Sequence, residues 1–265
     1  MKNPIASLGS FALGLKKQIT DITLLLAQVV YWLVIAPFKG KFISRKNLSE
    51  QMVFAGVRSI LIVFFVALFT GIVIAMQSAY QLEKLGATMY VASLVAVSVA
   101  RELGPVLTAL VVAGRVGAAI TAELGSMKVT EQIEALEVIA INPVRHLVVP
   151  RILALLIMLP CLTIFADLMG MFGGWLIGVF NLGLSSGIYI DKTIELLQLK
   201  DIYTGLFKAF VFAGIISVIG CHMGLNTKGG AGGVGNATTV SVVTSFILII
   251  LADCILTGIF FFSNM

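Results

Sequence analysis

The sequence predicts an all-α integral membrane protein, and its composition and its long apolar segments carry that prediction. Of its 265 residues, 59% are hydrophobic and 12% are charged, whereas a soluble domain has about 25% charged residues. A single soluble core cannot hide that much apolar surface, so we expect the bilayer to be its solvent. The chain, residues 1–265, is interpreted as one domain with an N-terminal interfacial helix, five transmembrane helices and a helix on the cytoplasmic side between spans two and three.

Five apolar segments are long enough to cross a bilayer, for which about 20 residues are needed. The third is interrupted by Asp167 and is too long for one upright helix, so we expect it to be tilted or kinked near Pro160. The glycine-rich stretch 226–239 between the last two is expected to be a tight, flexible connection, because it lacks the ending of a phosphate-binding P-loop. The predicted spans are 53–78, 88–117, 147–182, 203–225 and 238–262.

The N-terminal region, residues 1–50, has a different pattern. Apolar residues recur at three- and four-residue steps, which indicates one helical stripe. The densest apolar part is short for a span and is interrupted by Pro37, so we expect a helix in the plane of the membrane interface. A sixth, short span is the alternative. The stripe comprises Leu8, Phe11, Leu15, Ile19, Ile22, Leu26, Val29 and Leu33.

The orientation follows from the lysines and arginines, which are enriched in cytoplasmic loops. With the N-terminus in the cytoplasm, thirteen of them lie on the cytoplasmic side and four on the other. Five spans then place the C-terminus outside, whereas a sixth span would reverse every loop. The net charge of +5 does not indicate nucleic acid binding, because the positive residues bracket apolar segments. The three cysteines lie in apolar runs without the spacing of a metal site or a redox motif, so we expect neither disulfides nor a metal.

The segment 118–143, between the second and third spans, is the most acidic part of the chain. Val129, Ile133, Leu136 and Ala140 share one face at helical spacing, and Thr130 is expected to cap the start of the helix. A short acidic amphipathic helix on the cytoplasmic side is typical of a surface that docks into a soluble partner. A solvated connecting helix packed on its own bundle is an equally good interpretation of the periodicity.

Arg101 and Glu102 lie near the middle of the second span, where a charge costs about 2.5–3.5 kcal/mol on insertion scales. Such residues are kept only where they face a cavity, a partner charge or another subunit, which favours transport. As neighbours on a helix, their side chains point about 100° apart. We therefore expect one to face a cavity and the other to pair elsewhere, with Lys208 and Asp253 as candidate partners. A structural charge network is the alternative.

Glycines at four-residue spacing occur in the third span and in the fourth. These are Gly170, Gly174 and Gly178 in the one, and Gly220 and Gly224 in the other. Small residues at this spacing allow helix backbones to touch in lipid. The pattern leaves open whether the contact lies within one chain or between two.

Two stretches of the chain carry a resemblance to a known family. Residues 100–151, ARELGPVLTALVVAGRVGAAITAELGSMKVTEQIEALEVIAINPVRHLVVPR, and residues 224–243, GLNTKGGAGGVGNATTVSVV, closely resemble the signatures of MlaE/YrbE-type permeases. These are the membrane subunits of ABC transporters that move lipids between bacterial envelope membranes. The resemblance runs over essentially the whole chain. The family shares the pair Gly104-Pro105, which is expected to loosen or kink the second span.

The resemblance implies a homodimer with a lipid cavity between the two copies, near the outer half of spans one, two and five. It implies a cytoplasmic ATPase that supplies ATP hydrolysis, a ring of MCE-domain proteins on the outer side and, in some systems, a STAS-domain protein. The chain itself is expected to be non-catalytic, without a cofactor, and to reside in a bacterial inner membrane. One relative works in plastid envelopes, but no Arg/Ser-rich transit segment is seen here. The ATPase-coupling residues would be Glu123, Glu131, Glu134, Glu137, Ile133 and Leu136.

The lipid path is predicted from the membrane-buried charges and from apolar residues near the outer mouth of the cavity. Plain helix packing is the alternative interpretation for the apolar ones. The predicted path residues are Glu102, Arg101, Leu103, Ile74, Leu82, Leu85, Lys208 and Asp253. Two other functions compete with lipid transport: an ion- or proton-coupled secondary carrier that uses Glu102 and Asp253 as a relay, and a membrane scaffold without transport.

Overall fold

The computed structural model describes Lys16 and residues 20–32 and 44–262, which form helices joined by short turns, without a β-strand among them. Five of these helical segments are long and apolar enough to cross a membrane. The predicted fold class is therefore confirmed. The spans, numbered 1 to 5 in chain order, are Arg45–Glu83, Thr88–Val129, Val144–Phe180, Leu199–Leu225 and Gly230–Phe262.

A short apolar helix, α1 (Thr20–Val30), precedes span 1. It buries Leu25 and Val29 against the bundle. Leu26, which the sequence placed on the stripe, is 40% exposed instead, because the bundle lies on the side of α1 that carries Leu25. The other predicted stripe residues, apart from Ile22 and Val29, lie outside the described residues, as do the last three residues of the chain.

Span 1 has an elbow at Gly56, between α2 (Arg45–Ala55) and α3 (Ile60–Glu83). The side chain of Met158 from span 3 occupies the space that a Cβ at Gly56 would need. Arg115 of span 2 donates hydrogen bonds across the elbow, at 3.3 Å to the Phe54 carbonyl and at 2.6 Å to the Ser59 hydroxyl. The arginine thereby satisfies backbone and side-chain acceptors on both sides of the bend.

Span 2 consists of three α-helices joined by two π-helical turns. The first turn, Val99–Leu103, contains Arg101 and Glu102 and ends immediately before Gly104-Pro105. Proline cannot donate a backbone hydrogen bond, and the chain accommodates it by widening the preceding turn. The three helices are α4 (Val91–Ser98), α5 (Gly104–Val112) and α6 (Ala118–Val129), and the second π-helical turn is Ala113–Gly117.

The segment 118–143 is divided between the end of span 2 and a separate short helix, α7 (Gln132–Val138). The predicted cap was wrong: the Thr130 hydroxyl donates to the Ser126 carbonyl at 2.9 Å and so closes the preceding helix. Glu131, with φ 57°, is the residue that precedes α7, and Ala140, with φ 60°, follows it. These two residues have left-handed backbone angles and turn the chain sharply at each end of α7. The turn at Glu131 follows directly on the helix of span 2, which continues up to Val129.

Span 3 is mostly one continuous helix, α8 (Val149–Phe180), with Pro160 inside it. Beyond the C-terminal end of α8, the helix α9 (Ser186–Leu196) folds back and buries Tyr189. The Tyr189 ring occupies the space where a Cβ at Gly178 would lie, and its hydroxyl, together with Val95 of span 2, occupies that of Gly174. These two glycines therefore serve the packing of α9 within the same chain.

Spans 4 and 5 are the single helices α10 (Leu199–Leu225) and α11 (Gly230–Phe262). The expectation of a loop over 226–239 was wrong, since only the four residues before Gly230 form the turn. Positive φ angles at Gly229 and Gly230 (89° and 69°) reverse the chain in that short distance. The following glycines stay helical, because each costs only about 1 kcal/mol relative to alanine.

The remaining glycine contacts also lie within one chain. A Cβ at Gly71 of span 1 would overlap the backbone of Gly170 in span 3, so these two backbones touch. Gly220 and Gly224 of span 4 lie against span 2: added Cβ atoms would be 3.3 Å from the Gly117 carbonyl oxygen and 3.1 Å from that of Thr121. Spans 2, 3 and 4 form the centre of the bundle, whereas spans 1 and 5 present long apolar faces outward.

Candidate functional site

A buried charge cluster joins spans 2, 4 and 5. It consists of Glu102 from the first π-helical turn of span 2, Lys208 from α10, and Asp253 and Thr257 from α11. Lys208 is the only member that is wholly enclosed, with no exposed side-chain surface. We call these four residues the Lys208 cluster.

The Lys208 ammonium makes three polar contacts. It donates to the Glu102 carboxylate and, at 2.7 Å, to the Thr257 hydroxyl. The Thr257 hydroxyl oxygen lies 3.2 and 3.3 Å from the two Glu102 carboxylate oxygens, so it accepts from the lysine and donates to the glutamate. Asp253 Oδ1 lies 2.9 Å from the ammonium but lacks hydrogen-bond alignment, so this contact is an ion pair by distance alone.

The charges of the Lys208 cluster do not balance. One ammonium contacts two carboxylates, and the Glu102 and Asp253 side chains remain 33% and 23% exposed. The positive charge is thus enclosed, while the Glu102 and Asp253 side chains keep accessible surface, although Asp253 Oδ1, which faces the lysine, is buried. A buried ion is tolerated when its partners replace its hydration shell, and here those partners come from two other spans, span 2 and span 5.

Arg101, the sequence neighbour of Glu102, points to a different partner. Its guanidinium lies 3.7 Å from Asp201 at the start of α10. Asp201 also accepts a hydrogen bond from the Gln198 backbone at 3.2 Å and so caps that helix. This geometry agrees with the expectation that the side chains of Arg101 and Glu102 point in different directions.

Two partners in these networks were not predicted from the sequence. Thr257 lies four residues after Asp253, and Asp201 lies seven residues before Lys208. Both spacings place the residue on the same helical face as a charge that the sequence had already singled out. A polar residue one or two helical turns away from a membrane-buried charge is therefore the signal in the sequence that identifies both of them.

The predicted apolar path residues lie on another side of span 2. Leu103 lines a narrow apolar cavity between spans 1, 2 and 3. Ile74 and Leu82 pack against the apolar core between spans 1 and 2, and Leu85 is exposed in the turn that follows span 1. One chain therefore holds the charges towards spans 4 and 5 and these four residues towards span 1.

Asp167 of span 3 is buried on the span 2 side, next to Gly104. Its Oδ1 atom has no hydrogen-bond partner among the described residues, and it occupies the space of a Cβ at Gly104. A side chain at position 104 would displace this carboxyl group. The structure thus explains the glycine by its contact with Asp167, close to the π-helical turn that holds Glu102.

The helix α7 and its surroundings form the second polar region. Glu123 pairs with the buried Arg151 at 2.9 Å, which links the end of span 2 to span 3. Lys128 contacts Glu134, and this hydrogen bond holds the pKa of the Glu134 carboxyl below its usual value. Of the predicted coupling residues, Ile133 is buried and Leu136 half-buried, so only Glu131 and Glu137 stay exposed without an ion pair among the described residues.

The most exposed apolar residues near α7 were not predicted as site residues. Val138 and Ile139, which end the helix, are 87% and 63% exposed. They do not lie on the helical face that carries Ile133. Two adjacent apolar residues on the otherwise polar side of a helix are the signal in the sequence that identifies them. Together with Glu131 and Glu137 they form the exposed surface of this region.

No group of three or more histidine, cysteine, aspartate or glutamate residues that could hold a metal occurs within 20–32 and 44–262. Cys161 and Cys254 are exposed on spans 3 and 5, and Cys221 is buried. The charge clusters themselves offer ion pairs and hydrogen bonds to a polar or charged ligand.

Comparison with known sequences gives one consistent family. Residues 48–259 match the profile of the family described as Permease MlaE. A probable ABC transporter permease protein of Rickettsia typhi is 43% identical over 81% of this chain and 83% of its own length. The intermembrane phospholipid transport system permease protein MlaE of Haemophilus influenzae is 38% identical over 95% of this chain and 98% of its own length. The chloroplastic protein TRIGALACTOSYLDIACYLGLYCEROL 1 of Arabidopsis thaliana is 37% identical over 86% of this chain and 65% of its own.

Replacement of Lys208 tests whether its cluster behaves as one unit. Lys208→Met leaves two carboxylates unpaired, so we expect the free energy of unfolding to fall by about 3–5 kcal/mol. In Lys208→Met/Glu102→Gln one of these charges is also removed, and the double variant should be less destabilised than the sum of the single ones. Unfolding in mixed detergent micelles is measured for the wild type, Lys208→Met, Glu102→Gln and the double variant. The control Lys84→Met, at an exposed lysine, should change the free energy of unfolding by less than about 0.5 kcal/mol. Additive effects of the two replacements would contradict the cluster.

Proposed function

The chain belongs to the MlaE permease family, and on that premise we propose that it is the membrane-spanning subunit of an ABC transporter that moves phospholipid between envelope membranes. The observation that supports this most is the Lys208 cluster. A charge network at membrane depth whose carboxylates stay accessible offers polar contacts to a lipid headgroup. A cluster that served the bundle alone would need no accessible face.

The proposed lipid path combines polar and apolar parts. The headgroup would contact Glu102 and Asp253, which the enclosed Lys208 holds in position from behind, with Arg101 at the margin. The acyl chains would lie along Leu103, Ile74, Leu82 and Leu85. Within one chain these apolar residues lie towards span 1 and the charges towards span 5, so the path requires a second copy. We place the cavity between two copies, near the outer halves of spans 1, 2 and 5, where the single chain exposes apolar faces.

ATP hydrolysis is assigned to a separate cytoplasmic subunit, and this chain is taken to bind neither ATP nor another cofactor. The docking surface for that ATPase would be α7, with Glu131, Glu137, Val138 and Ile139 as contacts. Glu123 and Glu134 act differently: the pair of Glu123 with Arg151 links span 2 to span 3, and the pair of Glu134 with Lys128 holds α7 on span 2.

The proposed location is the bacterial inner membrane, with the N-terminus and α7 in the cytoplasm and the C-terminus on the outer side. The distribution of lysine and arginine supports this orientation. A ring of MCE-domain proteins on the outer side, and a STAS-domain protein bound to the ATPase, complete the proposed assembly.

The central test measures lipid transfer by the complex isolated from native membranes. We expect a stoichiometric ATPase to co-purify. Glu102→Gln should slow ATP-dependent transfer of a fluorescent phospholipid by about tenfold or more, because a charge-assisted contact is lost. Glu50→Gln, at an exposed glutamate of α2, is the matched control and should leave transfer unchanged. A complex without an ATPase would indicate a carrier or a scaffold instead, and unchanged transfer in Glu102→Gln would remove Glu102 from the path.

The docking surface is tested with an acidic residue at an exposed apolar position. In Ile139→Asp the interface would have to desolvate a charge, so we expect binding of the purified ATPase to weaken by about thirtyfold or more, in line with hot-spot losses of about 2 kcal/mol and above. Phe180→Asp makes the same change at an exposed residue at the other end of the bundle and should bind normally. Pull-down and calorimetry give the affinities, and equal affinities for the two variants would exclude Ile139 from the interface.

The second copy is tested with the two exposed cysteines. A spin label on Cys254 in a Cys161→Ser background reports the distance between the two copies of span 5. Packed helices lie about 8–10 Å apart, so the labels should be within roughly 20 Å. A label on Cys161 in a Cys254→Ser background, on span 3, should give a longer distance. Pulsed dipolar spectroscopy that finds Cys161 closer than Cys254, or no dipolar signal, would overturn a dimer across span 5.

A further inference from the structure

Asp167 is a buried carboxyl group of span 3 that belongs to neither charge network. It lies near the middle of a 37-residue span, and only 7% of the residue is exposed. Its Oδ1 atom has no hydrogen-bond partner, and the residue forms no ion pair, within Lys16 and residues 20–32 and 44–262. The lipid path proposed above does not use Asp167, so its presence in the membrane needs a separate reason.

The charges of spans 2 and 4 are directed away from Asp167. Arg101 pairs with a carboxylate at the start of α10. Lys208 is surrounded by Glu102 and Asp253, and neither of the two cations forms an ion pair with Asp167 in the described part of the chain. Spans 2 and 4 therefore supply no counter-charge to this carboxyl group.

The other neighbouring helices supply no counter-charge either. On span 3 itself, Arg151 pairs with Glu123, and no lysine, arginine or histidine follows it in α8. On span 1, the ionisable side chains of α3 are a tyrosine and a glutamate in its last turn. Tyr189 of α9 packs at Gly174, about two turns beyond Asp167. A carboxylate without a counter-charge is very costly at membrane depth, which favours the neutral, protonated form of Asp167.

The surroundings of Asp167 Oδ1 contain an acceptor for such a proton. A Cβ built on Gly104 would lie 1.8 Å from Oδ1 and 3.0 Å from the Val99 carbonyl oxygen, so both oxygens border the same point. The carbonyl accepts the Gly104 N–H in the π-helical turn and keeps a second lone pair. Neither a carbonyl nor a carboxylate oxygen can donate, whereas a protonated carboxyl group can. The apolar cavity next to Gly104 is about 10 Å³ and holds about one water, which is too little to hydrate a carboxylate.

We propose that Asp167 is a protonated carboxylic acid that positions Glu102. Its O–H donates to the Val99 carbonyl oxygen and fastens the first π-helical turn of span 2 to span 3. Residues two positions apart on a helix point about 200° away from each other. The contact at Gly104 therefore directs Glu102 to the opposite side of span 2, where Lys208 lies.

This contact responds to pH. When span 2 moves away from span 3, water reaches Asp167, the O–H bond breaks and the proton passes to that water. The fastened form of the turn binds one proton more than the released form, so rising pH favours release. The role of Asp167 in transport rests on the function proposed above, whereas its protonated state does not.

Infrared spectroscopy in a detergent without ester groups tests the protonated state. At neutral pH exposed carboxyl groups are ionised, so we expect the C=O stretching band of a carboxylic acid to report Asp167. The band should be lost in Asp167→Asn and retained in Glu102→Gln. A wild type without the band, or a band that persists in Asp167→Asn, would overturn the proposal.

Thermal unfolding over a range of pH tests the proton linkage. Asparagine resembles the neutral acid and keeps a donor, but it cannot ionise. The melting temperature of the wild type should therefore fall more steeply towards alkaline pH than that of Asp167→Asn. Glu50→Gln, at an exposed glutamate, is the control and should follow the wild type. Parallel curves for the wild type and Asp167→Asn would contradict the linkage.

Lipid transfer by the complex separates positioning from packing. Asp167→Leu is similar in size but has no donor, so we expect ATP-dependent transfer to slow by about fivefold or more, as for the loss of one buried hydrogen bond. Asp167→Asn should stay within about twofold of the wild type. Equal losses in the two variants would leave packing as the only role of Asp167 and overturn the positioning. A wild type that shows the infrared band but transfers no lipid would contradict the transport assignment and not the protonated Asp167.

Discussion

The ion pairing of Lys208 is the interaction on which the arrangement of the spans depends. An ammonium with no exposed surface at membrane depth must receive its entire solvation from protein atoms. Those atoms come from spans 2 and 5, while the lysine belongs to span 4. One charge therefore ties three helices together, and separation of span 5 from the bundle would remove Asp253 and Thr257 and leave Glu102 as the remaining partner of the lysine.

The irregular geometry of span 2 is what brings its carboxylate to this lysine. Glu102 lies in a π-helical turn, a form that is rare and often marks functional positions. The turn is followed by Pro105 and is packed against Asp167 at Gly104. The same helix that carries a polar group into the membrane is therefore the one whose backbone departs from regular α-helix, and both properties favour movement at this point.

The sequence predicts the five spans well, because apolar length and membrane thickness determine them. It also selects Lys208 and Asp253 as candidate partners, since a charge in lipid needs a counter-charge. The sequence does not show which charged residue pairs with Glu102 and which pairs with Arg101, because the pairing depends on how the helices are rotated about their axes. The start of span 5 was missed because residues 230–235 have a loop-like composition, and the glycine contacts could not be assigned to one chain before the topology was known. The cap of α7 was missed because Thr130 serves the preceding helix.

The ion pair between Arg151 and Glu123 stiffens the end of the bundle that carries α7. It fastens the last turns of span 2 to the first turn of α8, and the pair of Lys128 with Glu134 ties α7 to the same end of span 2. A force applied to Ile139 would therefore reach span 2 through an ion pair as well as through the chain at Thr130 and Glu131. Between α7 and Glu102, span 2 is interrupted by the π-helical turn Ala113–Gly117, and Glu102 itself lies in the other such turn, Val99–Leu103. Under the proposed coupling, a displacement of α7 would therefore reach the Glu102 carboxylate only through these two irregular turns.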